Sequence, residues 1–138
     1  MSSPQWRPTP DAVAAHVSRR LVGVPGGTFG ADTQPTRDAV ESIIGGVVGD
    51  VVAELGGDAV PAHLEDAARD VVAIGAASYV EQSLNPEQQY GDGSAGQTLE
   101  RRYLARLNRL VAAVHHHGQG ALGSVQAVGA TRARLEGL

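Results

Sequence analysis

Hydrophobic positions in this chain recur every three or four residues in four separate stretches, a period that belongs to helices rather than strands. The second stretch keeps it longest. Val40, Ile43, Ile44, Val47, Val48, Val51, Val52 and Leu55 fall at i, i+3, i+4, i+7, i+8, i+11, i+12 and i+15, all on one helical face. Thr36 stands before it as an N-cap, Asp38 lies in its first turn, and Gly56-Gly57 closes it. The first stretch opens at Thr9-Pro10-Asp11: a hydroxyl cap, a proline where no N–H is needed, and an acid at the positive helix end. Val13, Ala14, Val17 and Leu21 carry its apolar face to about Val22, and Val24-Pro25-Gly26-Gly27 stops it. The third begins near Pro61 and runs through Leu64, Val71, Val72, Ala76, Tyr79 and Val80 to about Leu84. Asn85-Pro86 ends it, because the residue before a proline is pushed out of helical geometry. The fourth, capped by Ser94 or Thr98, presents Leu99, Tyr103, Leu104, Leu107, Leu110, Val111 and Val114 and reaches about His116.

The intervening segments read as loops. Gly27 to Pro35 is glycine-rich and polar, with a short extended piece at Thr28-Phe29, and Glu87 to Gly93 joins the last two helices. From Gly118 the apolar residues lose their period among Gly118, Gly120, Gly123, Gly129 and Gly137, so residues 118–138 read as a flexible tail with a helical turn near Thr131 to Leu135. The expected architecture is all-α: a small bundle of four helices over residues 1–117, a Gly-rich loop after the first helix, and a flexible C-terminal tail over 118–138. No internal repeat is visible.

Gly45, Gly46 and Gly49 lie inside the second helix, where each costs up to about 1 kcal/mol relative to alanine. The third helix offers small residues in return, among them Ala68, Ala73, Gly75 and Ala76. Close packing of the two at these glycines is therefore expected, with Gly49→Leu disrupting it.

Composition narrows the core. Apolar residues make up 42% of the chain but aromatics only 4%, so the interior is built from Val, Leu, Ile and Ala. At about 25 cal/mol per Å² such small side chains contribute little each, and the thin core invites completion by neighbouring subunits. There is no cysteine, which excludes disulfides and thiolate metal sites. The opening Met-Ser-Ser-Pro-Gln-Trp-Arg lacks the apolar run of a signal peptide, and no apolar run approaches the roughly 20 residues that span a bilayer. A protein that works in water, without contact to a membrane, is expected.

Net charge is −4 and unevenly spread. Residues 1–30 hold three Arg and one Asp (+2), residues 31–92 twelve acids and two Arg (−10), and residues 93–138 six Arg and two Glu (+4). An acidic middle between basic ends allows one copy to pair with the next. Every basic residue other than histidine is Arg, a usage that fits a GC-rich genome.

Candidate chemistry is sparse. His115-His116-His117 point about 100° apart on a helix and cannot converge on one ion, so they read as a solvated helix end facing the negative dipole. Gly26-Gly27 and Gly30 lack the Gly-Lys-Ser/Thr of a phosphate loop, and Glu65-Asp66 complement a helix start. No Ser, His and Asp form a recognisable frame. No catalytic, cofactor or metal site is expected, and the chain reads as a non-enzyme. Arg102, Arg106 and Arg109, with Arg101 beside them, share a face opposite the leucines of the last helix, a surface for an acidic protein partner or for phosphates.

The order of short motifs resembles a known family. Trp6-Arg7-Pro8-Thr9 opens the first helix, Gly27-Thr28-Phe29 leads through Asp32-Thr33-Gln34-Pro35-Thr36 into the Val/Ile helix, and Val60-Pro61 precedes the Ala-rich helix. That helix ends on Tyr79-Val80-Glu81 before Asn85-Pro86-Glu87-Gln88, and Leu99 to Val114 closes the set. Over about residues 4–116 this resembles the head-to-tail adaptor (head–tail connector) proteins of long-tailed phages that infect actinobacteria. The resemblance implies a virion protein, made in the host cytoplasm, that joins a dodecameric ring of its own copies beneath the portal protein. The ring would extend the channel for genomic double-stranded DNA, without reading its sequence, and receive the next connector or stopper protein. It also implies subunits that stay monomeric until the portal templates the ring, and a tail that orders on the portal. The expected contact residues are Arg102, Arg106 and Arg109 on the helix and Gly118, Leu122, Val125, Arg132, Arg134 and Leu138 in the tail. Trp6 is expected to cap the first helix rather than to anchor an arm. The alternative from another class is a small helical DNA-binding regulator, against which the acidic second and third helices argue. An enzyme of unknown type stands third.

Overall fold

The computed structural model describes residues 4–17, 29–33, 35–84 and 95–136, with 118–136 described as backbone. Among these residues there are four α-helices and no strand: α1 (Pro10–Ala14), α2 (Arg37–Leu55), α3 (Glu65–Leu84) and α4 (Ala95–Glu136). A single 3-10 turn, Ala62–Leu64, leads into α3. The all-α bundle of four helices is the architecture observed.

The capping expected for the first two helices is present. The Thr9 hydroxyl accepts from the Ala12 N–H at 3.4 Å, and Thr36 accepts from Ala39 at 3.2 Å. Gly56 closes α2 at φ 80°, left-handed geometry that a Cβ would oppose. Val40, Ile44, Val47, Val48, Val51 and Leu55 are buried on α2, while Ile43 and Val52 pack half-buried at its margins. Helix α3 lies at the centre, packed by α1, α2 and α4. Its middle is buried nearly all round, from Val71 through Ser78, which only small and β-branched side chains allow.

Four boundaries or contacts differ from expectation. Helix α1 ends at Ala14 rather than near Val22. Its backbone tightens there, with His16 and Val17 donating to the carbonyls three residues back, Val13 and Ala14 (3.0 and 3.2 Å). Leu21, Val22, Val24 to Thr28 and Asn85-Pro86 lie outside the described residues, and Phe29 has no regular structure. Helix α4 starts at Ala95, which leaves Thr98 inside it and not at its cap, while Ser94 lies outside the described residues. Its backbone continues past His116 to Glu136, where a flexible tail was expected. The last proline is Pro86, so nothing removes a hydrogen bond, and the Ala, Leu, Gln and Arg between the glycines favour the helix.

The fourth difference concerns glycine. A Cβ at Gly46 or Gly49 would meet nothing within 4 Å, and at Gly45 only an Arg7 nitrogen at 3.6 Å. Helix α3 does not press on them. The close approach is at Gly75, where a Cβ would lie 2.7 Å from Tyr103 Cε1 and 2.9 Å from Val47 Cγ1. Three helices thus converge on Gly75, with α2 presenting Val47 and α4 presenting Tyr103.

The N-terminal arm joins the core. Trp6 is 2% exposed, belongs to the main hydrophobic cluster, and donates its indole N–H to the Asp58 carbonyl at 3.0 Å. Arg7 reaches both the Glu41 carbonyl (2.9 Å) and its carboxylate (2.8 Å), and Arg69 holds the Gln5 carbonyl at 3.1 Å. Trp6 is therefore an anchor that ties the arm to the loop after α2. Thr33 binds the next turn: it accepts from the Gly30 N–H at 2.9 Å, and its hydroxyl faces the Pro35 carbonyl at 2.8 Å.

Candidate functional site

The arginines of α4 are set by helical register. At 100° per residue Arg102, Arg106 and Arg109 cluster roughly a quarter turn from the centre of the buried row Leu99, Tyr103, Leu107 and Leu110. They flank the leucines and do not oppose them, so the edge they form looks along the seam with α3. Arg106 crosses that seam to Asp70, which also faces the His16 imidazole at 3.7 Å. Arg106 is thereby engaged within the chain, whereas Arg102 and Arg109 make no ion pair among the described residues.

Between α3 and α4 the same seam opens into a groove of about 300 Å³. Leu64, Val71 and Leu110 supply its apolar floor, and Ala67 and Ala113 keep it open. Arg106, Arg109 and Asp70 form the polar rim. At the same end of the bundle the ring of His117 lies against His63, centroids 5.3 Å apart. The three histidines sit in the middle of a continuous helix rather than at its end, and no group of three or more metal-ligating side chains occurs among the described residues.

A second surface lies along α2 and the far end of α3. Ile43, Gly46, Val47, Asp50 and Tyr79 surround a depression of about 240 Å³. Tyr79, expected in the apolar face of α3, is 52% exposed, and Leu104 of α4 is 49% exposed. Periodicity alone puts both on apolar faces, because it does not tell a flank from a centre. Burial, reinforced by Asp50, Tyr79 and Glu54, pushes the Tyr103 phenol up to about 12.

Charge pairing separates the two surfaces. Arg7, Arg37 and Arg69, the described arginines outside α4, pair with Glu41, Asp11 and Asp66. Asp38, Asp50 and Glu54 on α2 make no ion pair among the described residues, and Arg102 and Arg109 are their counterparts on α4. The tail positions Gly118, Leu122, Val125, Arg132 and Arg134 fall on the helical backbone of α4, beyond the described side chains, and Leu138 lies outside the described residues. Among the described residues no helix is long and apolar enough to cross a membrane. No protein family, curated protein or solved structure matches this chain.

Proposed function

We propose that this chain is a ring-forming adaptor of a phage virion, without enzymatic activity, that docks beneath the portal and carries the DNA channel toward the tail. One observation carries the reading: among the described residues α2 keeps Asp38, Asp50 and Glu54 outside any ion pair, while α4 keeps Arg102 and Arg109. A second copy offers both complements at once, and two different surfaces meeting head to tail make a heterologous contact of the kind that closes into a ring. The ordered motifs from Trp6 to Val114 support the same reading, because Trp6, Phe29 and Thr33 among them are buried and hold the arm and loop in place. The portal and the next connector protein are the partners this reading requires, with the later turns of α4 available to the portal.

Electron microscopy of the purified chain, alone at high concentration and mixed with portal rings, tests it. Circular particles, or an added layer on the portal, are the expected result. Particles of neither kind, together with salt-dependent retention on duplex DNA, would replace this reading with that of a helical DNA-binding regulator.

A further inference from the structure

We infer that the arginine-rimmed groove between α3 and α4 of one copy receives the Tyr79, Asp50 and Glu54 surface of the next. The inference rests on the assembly reading above and names the two faces that would meet. The groove has a floor of Leu64, Val71 and Leu110 and about 300 Å³ of space, room for one large side chain rather than for an extended ligand. Its rim carries Arg106 and Arg109 against the single acid Asp70, a net positive edge that Arg102 prolongs by one turn. The occupant must therefore bring an apolar ring or branched side chain flanked by carboxylates.

The chain carries that combination on its other surface. Tyr79 is half exposed beside Ile43 and Asp50, and Glu54 follows Asp50 by one turn of α2. A tyrosine over the groove floor buries its ring while its hydroxyl stays at the rim, and the two carboxylates lie within reach of Arg102 and Arg109. The surfaces do not overlap: Val71 and Tyr79 stand eight residues apart on α3, roughly 12 Å along its axis. One molecule can thus use both at the same time, as each member of a ring must. Gly46 and Gly49, open to the outside of α2, leave the receiving helix unobstructed beside Tyr79.

Charge-reversal complementation tests the inference. One variant carries Arg102→Glu with Arg109→Glu, the other Asp50→Arg with Glu54→Arg; all four sites are exposed, and circular dichroism checks each fold. Sedimentation equilibrium at low salt should show each variant alone associating at least about tenfold more weakly than the unmodified chain. A one-to-one mixture should recover to within about threefold, because every contact in an alternating assembly again pairs opposite charges. Ala67→Phe, which fills the groove, and Tyr79→Ser should weaken association without reversing any charge. Variants that associate like the unmodified chain, or a mixture no tighter than its components, overturn the inference while leaving the assembly reading in place. An unmodified chain that remains monomeric at about millimolar concentration, and whose layer on portal rings is unaffected by either charge reversal, overturns the inference by itself; the absence of any layer on the portal overturns both.

Discussion

Two glycines on neighbouring helices have opposite roles. At Gly75 an added methyl would collide with Tyr103 and Val47, both held in the core. Overpacking costs about 1–3 kcal/mol, and the roughly 1 kcal/mol that alanine returns in helix propensity offsets only part of it. Gly75→Ala should lower the melting temperature by several degrees, and adding Val47→Ala should recover part of the loss, since the two changes share one space. At Gly49 the surroundings are empty. Gly49→Ala should instead stabilise the monomer by up to about 1 kcal/mol, read as a rise in the urea midpoint at unchanged slope. The glycines of α2 are visible in the sequence, but three positions on a helix surface do not say which face another helix covers, and the close approach is at Gly75 instead. Tyr103 adds a pH effect. Its folded-state value of about 12 lies above the ordinary 10, so the neutral phenol is favoured by folding. That preference is intact below pH 10 and is lost as pH rises toward 12. Ionisation followed at 295 nm should show a phenol that titrates toward pH 12, and Tyr103→Phe should remove both that step and its share of the alkaline loss.

At the scale of elements, legibility followed the strength of the period. Helix α2 held eight apolar positions on one face between a threonine cap and a glycine stop, and its observed span, Arg37–Leu55, is the one those signals delimit. Thr36→Ala, which removes the hydroxyl bonded to Ala39, should cost about 1 kcal/mol in thermal unfolding. Helix α4 was legible only over its packed part. The named core ends at Leu110 with Val111 and Val114 against it, and beyond His117 no apolar period guides the eye. Helix persists there because propensity acts residue by residue and no proline interrupts it. Truncation after His117 should leave the melting temperature within a few degrees while lowering total ellipticity in proportion to the lost turns. A large fall in melting temperature would mean that the later turns pack on the bundle. The candidate groove was not legible at all, although Arg106 and Arg109 were named. It depends on the rotation of α4 against α3, which brings Asp70 across to Arg106, and no single-helix pattern encodes that angle.

For the whole molecule the question is how so thin a core holds together. Part of the answer is the N-terminal arm, which places the chain's single tryptophan inside the main cluster and fastens it at three points: Asp58, Glu41 and, through the Gln5 carbonyl, Arg69. These partners lie on α2, on α3 and in the loop between them, so the arm straps the two helices together. Truncating a buried tryptophan typically costs about 3–5 kcal/mol, a large fraction of the 5–15 kcal/mol that single domains possess. Trp6→Ala should therefore leave the chain largely unfolded at 37 °C, whereas Trp6→Phe, which keeps the ring but loses the bond to Asp58, should fold with a reduced melting temperature. The same geometry makes Trp6 a reporter of the entire bundle. Its emission should be blue-shifted in the folded chain, and its thermal transition should coincide with loss of helical ellipticity at 222 nm, as two-state unfolding requires. A fluorescence transition well below the helical one would show the arm detaching first. The strap would then be an accessory to a bundle that stands without it, and the thin core would have to be sufficient alone.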